Sequence, residues 1–148
     1  MFSALALAAW CTAIPLREDC SPLRIVAPHG TLRLAVASDV DQRERGLMWV
    51  KHVPHAQGMI FVFPDGDRAR DFWMKNTIAP LDMIFVAGDG TVTSVARDVP
   101  ATTTGQSDNE VPRRSGNGTY VIELAAGDAA REGIVTGTHL TIPSIPSR

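Results

Sequence analysis

The feature that most constrains the fold of this chain is a change of pattern at Leu23. From there, short runs of alternating apolar and polar residues recur between turn signals almost to the C-terminus. Successive side chains on a strand point to opposite faces, so a period of two over this length marks half-buried strands. Residues 23–26 and 31–37 flank Pro28-His29-Gly30 and read as an opening hairpin, with Leu32, Leu34 and Val36 on one face. Ser38 and Asp39 then precede residues 40–48, an N-cap followed by a charged run that predicts about two turns of helix, weakened at its end by Gly46. Strands are expected at 59–63, 69–74, 81–87 and 91–96, the last two joined by Gly88-Asp89-Gly90, whose glycines accept the positive φ of a hairpin turn. Residues 97–119 are polar and rich in Gly, Pro, Ser and Thr, and read as a long mobile loop or lid. A strand at 120–124, a short helix at 128–132 and a closing strand at 140–142 follow. The expectation is a mostly β, small single-domain β-barrel or barrel-like sandwich of about seven to eight short strands with one or two short helices. That domain spans 23–143, between an N-terminal segment at 1–22 and a tail at 144–148.

An apolar share of 45% over 148 residues suffices for one buried core without covalent staples. With a net charge of −2 and no basic stripe, nucleic acid is not an expected partner. Cys11 and Cys20 stand alone, without repeated Cys/His spacing, so neither a disulfide framework nor a structural zinc site can be built. His52 and His55 are three apart around Pro54, with no third ligand placed near them, and read as solvated loop histidines. Met48, Met59, Met74 and Met83 fall in or beside apolar segments, where core filling is the default role. Neither a nucleophile turn nor a Gly-rich phosphate loop is present, and no cofactor or metal is expected. The first thirteen residues have the apolar length of a signal-peptide core, followed by small residues suitable for cleavage near Ala13, and are too short to span a bilayer. Export to the periplasm or cell envelope is expected; the lack of a basic residue before Arg17 keeps a cytoplasmic location as the alternative.

Five ordered segments carry a family resemblance: R-G-L-M at Arg45 to Met48, G-M-I-F-V-F at Gly58 to Phe63, F-W-M-K-N-T at Phe72 to Thr77, P-L-D-M-I-F at Pro80 to Phe85, and Y-V-I-E-L at Tyr120 to Leu124. In order and spacing they resemble the domain of unknown function 192 family, over nearly everything from Leu32 to Leu140. The resemblance implies a compact, mostly β domain, frequently in exported or envelope-associated proteins. It implies no activity, because the family lacks an established one.

The residues themselves outline a site. On a strand, Phe72 and Met74 share one face and Trp73 and Lys75 the other, so inward-facing Phe72 and Met74 would direct Trp73 and Lys75 at a cleft or at solvent. In the alternative, Trp73 belongs to the core and the stem of Lys75 lies over apolar surface. Asn76 lies in the turn after this strand, where an amide has a structural use and could also hold a polar group. Asp82 enters an apolar strand and needs a partner, from Arg45, Lys75 or backbone donors. Glu123 interrupts another apolar strand on the face opposite Tyr120, Ile122 and Leu124; it either faces solvent or joins Asp82, Arg45 and Lys75 beside Trp73. The expected ligand-binding set is therefore Arg45, Trp73, Lys75, Asn76, Asp82 and Glu123. An aromatic platform beside cations, with no nucleophile or metal set, suggests a non-catalytic module for a small polar or anionic ligand or a peptide. The alternatives are a small hydrolase using Asp82 or Glu123 as general base and a structural envelope protein that binds a protein partner.

Overall fold

A computed structural model of the chain describes residues 22–145. The N-terminal segment read as a signal peptide, with Cys11 and Cys20, lies outside the described residues. The opening hairpin forms from β1 (Leu23–Ala27) and β2 (Gly30–Ala37), antiparallel as expected. Helix α1 (Val40–Arg45) starts at a reciprocal cap: the Asp39 carboxylate accepts the Gln42 N–H, and the Gln42 side chain accepts the Ser38 N–H at 2.9 Å. It ends at Gly46, with φ at +46°, shorter than residues 40–48 suggested. The crossover through α1 lets β3 (Gln57–Val62) pair parallel to β2, since parallel neighbours need a long connection.

Six strands form one sheet in the order β1-β2-β3-β8-β5-β6, with β5 (Leu81–Val86), β6 (Val92–Val99) and β8 (Tyr120–Ala125) all antiparallel to their neighbours. A separate antiparallel ribbon pairs β4 (Arg68–Trp73) with β7 (Arg113–Gly118). Both faces of the large sheet are covered. On one, Met59, Phe61, Met83, Phe85 and Val121 pack beneath the ribbon, where Phe72 meets the rings of Phe61 and Phe85 edge-on. On the other, Ile60, Ile84, Ile122 and Leu124 pack with Ala129 of helix α2 (Asp128–Arg131) and with Ile134 and Leu140. Every residue of β5 is consequently buried.

Three expectations need correcting. The sheet ends at β1 and β6 and does not close into a barrel; a six-stranded sheet layered against a ribbon is sandwich-like. The loop expected at 97–119 is shorter, because β6 continues to Val99 and Arg113–Gly118 is a strand. Its apolar content is nil, so alternation could not reveal it. Glycine is what β7 needs: a Cβ on Gly116 would lie 2.3 Å from the Phe85 ring, and one on Gly118 would lie 2.4 Å from the Val86 carbonyl oxygen. Residues 140–142 form no strand. The chain there is held by an isolated bridge between Thr91 and His139 and by the Leu140 N–H on Gly90 O at 2.8 Å.

Candidate functional site

A cleft of about 280 Å³ opens where α1 and the turn after it approach the end of the ribbon. Arg43, Glu44, Arg45, Leu47 and Met48 form one side, Asp71, Phe72, Trp73 and Lys75 the other, and Phe61 and Glu123 the floor. Local sequence sets this geometry. The Asp39 cap fixes where α1 begins, Gly46 turns the chain so that Leu47 is buried, and β4 ends by directing Phe72 inward and Trp73 to the rim.

Glu123 is the unusual member. Its register on β8 places it opposite Met59 of β3 and Met83 of β5, so its carboxyl stands in a row of thioethers on the ribbon side of the sheet. It is 5% exposed, lines the cleft, and makes no hydrogen bond or ion pair among the described residues. Burial disfavours the charged form, and pushes the carboxyl up to about 8. At neutral pH it therefore holds a proton and can donate a hydrogen bond into the cleft.

The rim is cationic but largely occupied. Lys75 Nζ lies 5.2 Å and Arg113 Cζ 4.7 Å from the centre of the Trp73 ring, while Arg43 and Arg70 lie 5.3 and 4.0 Å from that of Phe63. Lys75 also pairs with Asp108, and Arg113 with Asp71 at 3.1 Å. Asp108 belongs to the 100–112 connection, which is further stitched down by the Thr102 N–H on Thr77 O and the Met74 N–H on Pro112 O, both at 2.9 Å. Arg43 donates to the carbonyls of Ser38 and Val62 at 2.8 and 3.0 Å, so its charge meets no carboxylate there. Arg45 is exposed and forms no ion pair among the described residues.

The six residues singled out in the sequence separate in space. Arg45, Trp73, Lys75 and Glu123 line the cleft. Asn76 stands behind it: with φ at +54° it accepts the Trp49 N–H at 2.8 Å and donates to Met48 Sδ at 3.8 Å, shaping the turn rather than the cavity. Asp82 is on the opposite face of the sheet, in register with Leu124, and does not meet Arg45, Lys75 or Glu123. Its buried carboxylate accepts the N–H groups of Asp98, Gly127 and Ala129 at 2.9, 3.0 and 2.9 Å. This is a structural tie between β5, β6 and the start of α2. The aromatic floor and Arg43 were not singled out in the sequence; the signal was there in F-V-F at 61–63, but apolar runs read first as core.

His55 proves not to be a simply solvated histidine. Its Nδ1 lies 3.0 Å from Asp128 Oδ1 and its Nε2 3.1 Å from Glu132 Oε1, although the ring remains half exposed. Asp128 also accepts the Ala56 N–H at 2.9 Å and pairs with Arg131 at 3.0 Å, so the cluster locks α2 to the start of β3. No group of three or more His, Cys, Asp or Glu among the described residues is arranged to hold a metal ion.

Residues 24–142 match DUF192, a family described as Uncharacterized ACR. The chain belongs to this family. The DUF192 match thus covers every strand apart from Leu23 and every residue that lines the cleft. Two solved structures are similar to it. One, of a candidate transcription regulator from Sinorhizobium meliloti, is 32% identical with a TM-score of 0.68 and is covered over 82% of this chain and 95% of that one. The other, a protein of unknown function from Novosphingobium aromaticivorans, is 30% identical with a TM-score of 0.65, over 81% of this chain and 83% of that one. No curated protein matches this DUF192 chain. No helix among the described residues is long and apolar enough to cross a membrane.

Proposed function

We propose that this domain is a binding module whose cleft takes a small polar or anionic molecule. The observation that carries the reading is Glu123: a carboxyl held in an apolar row, without a hydrogen-bond or ion-pair partner among the described residues, that lines the cleft. Because the carboxyl lines the cleft, a ligand able to accept its hydrogen bond can reach it. The cavity is slightly smaller than the roughly 300 Å³ at which sites for drug-sized molecules begin, which favours a small ligand over a folded partner. A thermal-shift screen of the full chain against anions, sugars, nucleotides and short peptides tests this, run beside Trp73→Ala. Compounds that raise the melting temperature of the parent and not of a well-folded variant are expected. A fully folded parent that no compound stabilises would overturn the reading and favour a protein partner.

A second reading is supported by the same carboxyl. A group that exchanges its proton near pH 8 is suited to general acid or base catalysis, so a hydrolase centred on Glu123 is the rival. It predicts turnover of a bound compound that Glu123→Gln abolishes while binding survives. Asp82 has no part in this reading. The apolar run at residues 1–13 supports a place in the cell envelope, which fractionation of cells expressing the full chain would test.

A further inference from the structure

The side chains around the cleft select among small ligands, a selection that rests on the proposed binding function. We infer that the cleft takes small organic carboxylates with an apolar body, seated with a carbonyl or hydroxyl acceptor on the Glu123 carboxyl and the anionic group at the Arg45 rim.

Three features select this class. First, the floor donates: a neutral Glu123 among Met59, Met83 and Phe61 offers an O–H where an ion would be costly to bury, so the buried end of the ligand is an uncharged acceptor. Second, the walls are apolar, with Leu47, Met48, Phe72 and Trp73 beside the floor, and demand a body that can lie against rings. Third, the charge at the mouth selects against cations. A cationic ligand would ordinarily use the ring faces, but those of Trp73 and Phe63 already carry Lys75, Arg113, Arg43 and Arg70. Lys75 is neutralised by Asp108, Arg113 by Asp71 and Arg70 by Asp65. Arg43 and Arg45 remain against Glu44, an excess of positive charge at the half-open end where an anion keeps part of its hydration.

The charged groups around Glu123 make the pH dependence readable. From α1 these are Arg43, Glu44 and Arg45; from β4 and the turn after it, Asp71 and Lys75; its neighbours on β3 and β5 are methionines. The part of any pH dependence that belongs to Glu123 is isolated by comparing the parent with Glu123→Gln. An acceptor bound to its O–H holds the proton in place; once the proton leaves, the same site repels the acceptor.

Calorimetric titration of the full chain with three probes, N-acetylphenylalanine, its neutral amide and phenethylamine, provides the test. N-acetylphenylalanine is expected to bind best at pH 6, to weaken about thirty-fold by pH 9.5 if the proton leaves near pH 8, and to take up protons on binding at the upper end of the range. Glu123→Gln, which keeps a neutral donor, should bind without that pH dependence, and Glu123→Leu should lose the affinity while remaining folded. Arg45→Ala should bring the acid down to the affinity of its amide. Preferential binding of phenethylamine, or affinity that rises with pH, would overturn the inference while leaving the binding function intact. Lack of heat from all three probes would overturn the proposed class; only the thermal-shift screen failing as well would overturn the site.

Discussion

Asp82 and Glu123 are two buried carboxyls on neighbouring strands, one register step apart and on opposite faces of one sheet, and they are treated in opposite ways. Asp82 receives three backbone N–H bonds, from the end of β6 and from the start of α2, so its charge is solvated by the fold itself. Glu123 receives none from the described residues, faces a cleft, and keeps its proton. Burial alone therefore says little about the role of a carboxyl. What separates a structural tie from a candidate functional group is whether the protein supplies the partner.

The sharpest way to break this comparison is to remove each group. Asp82→Ala would leave the three N–H groups without an acceptor in a site of 0% exposure, and should cost about 4 kcal/mol or more, measured by urea unfolding. A loss below about 1 kcal/mol would mean that the Asp82 contacts are not a structural tie. Glu123 should behave differently, through pH. The folded protein raises its carboxyl from 4.5 to about 8, so folded molecules hold a proton that unfolded chains release in between. Its stabilising contribution is complete below the unfolded value and is lost as pH rises through the folded one. Across that window stability should fall by about 5 kcal/mol, and Glu123→Gln should flatten the curve.

Smaller effects sharpen the contrast between the sheet and the ribbon above it. Gly116→Ala should cost about 1–3 kcal/mol, because the new methyl meets the Phe85 ring and the ribbon must lift; thermal melting would detect this, and an unchanged midpoint would mean the ribbon sits loosely. Lys75→Ala removes a partly exposed pair with Asp108 and should change stability by less than about 1 kcal/mol. Its effect should appear instead as faster hydrogen exchange in the 100–112 connection. Unaltered exchange there would assign the stitching to Thr102 and Met74 alone.

How much of this was legible in the sequence depended on how local the cause was. Alternation separated Phe72 and Met74 on one face from Trp73 on the other, because facing is a property of one strand, but left open whether Trp73 met a cleft or the core. The hairpin at Pro28-His29-Gly30 and the Asp39 cap were legible for the same reason. Strand β7 was not, since R-R-S-G-N-G carries no apolar side chain and pairs with β4 through its backbone. Asp82 was misplaced among the cleft residues because its face depends on β8 inserting between β3 and β5, a non-local pairing that no local pattern encodes. Glu123 was ambiguous until both faces of the sheet were known to be covered. Its alternation with Ile122 and Leu124 was visible, but an outward residue of a sheet covered on one side becomes a buried one when a ribbon lies above it.

Direct observation of the Glu123 carboxyl by carbon-detected NMR, titrated from pH 4 to 10 with Glu123→Gln as the assignment control, would decide the matter. A midpoint near 8 is the expected result. A midpoint near 4.5 would mean that Glu123 is solvated or paired as Asp82 is, and the cleft would lose the neutral donor on which its proposed chemistry depends.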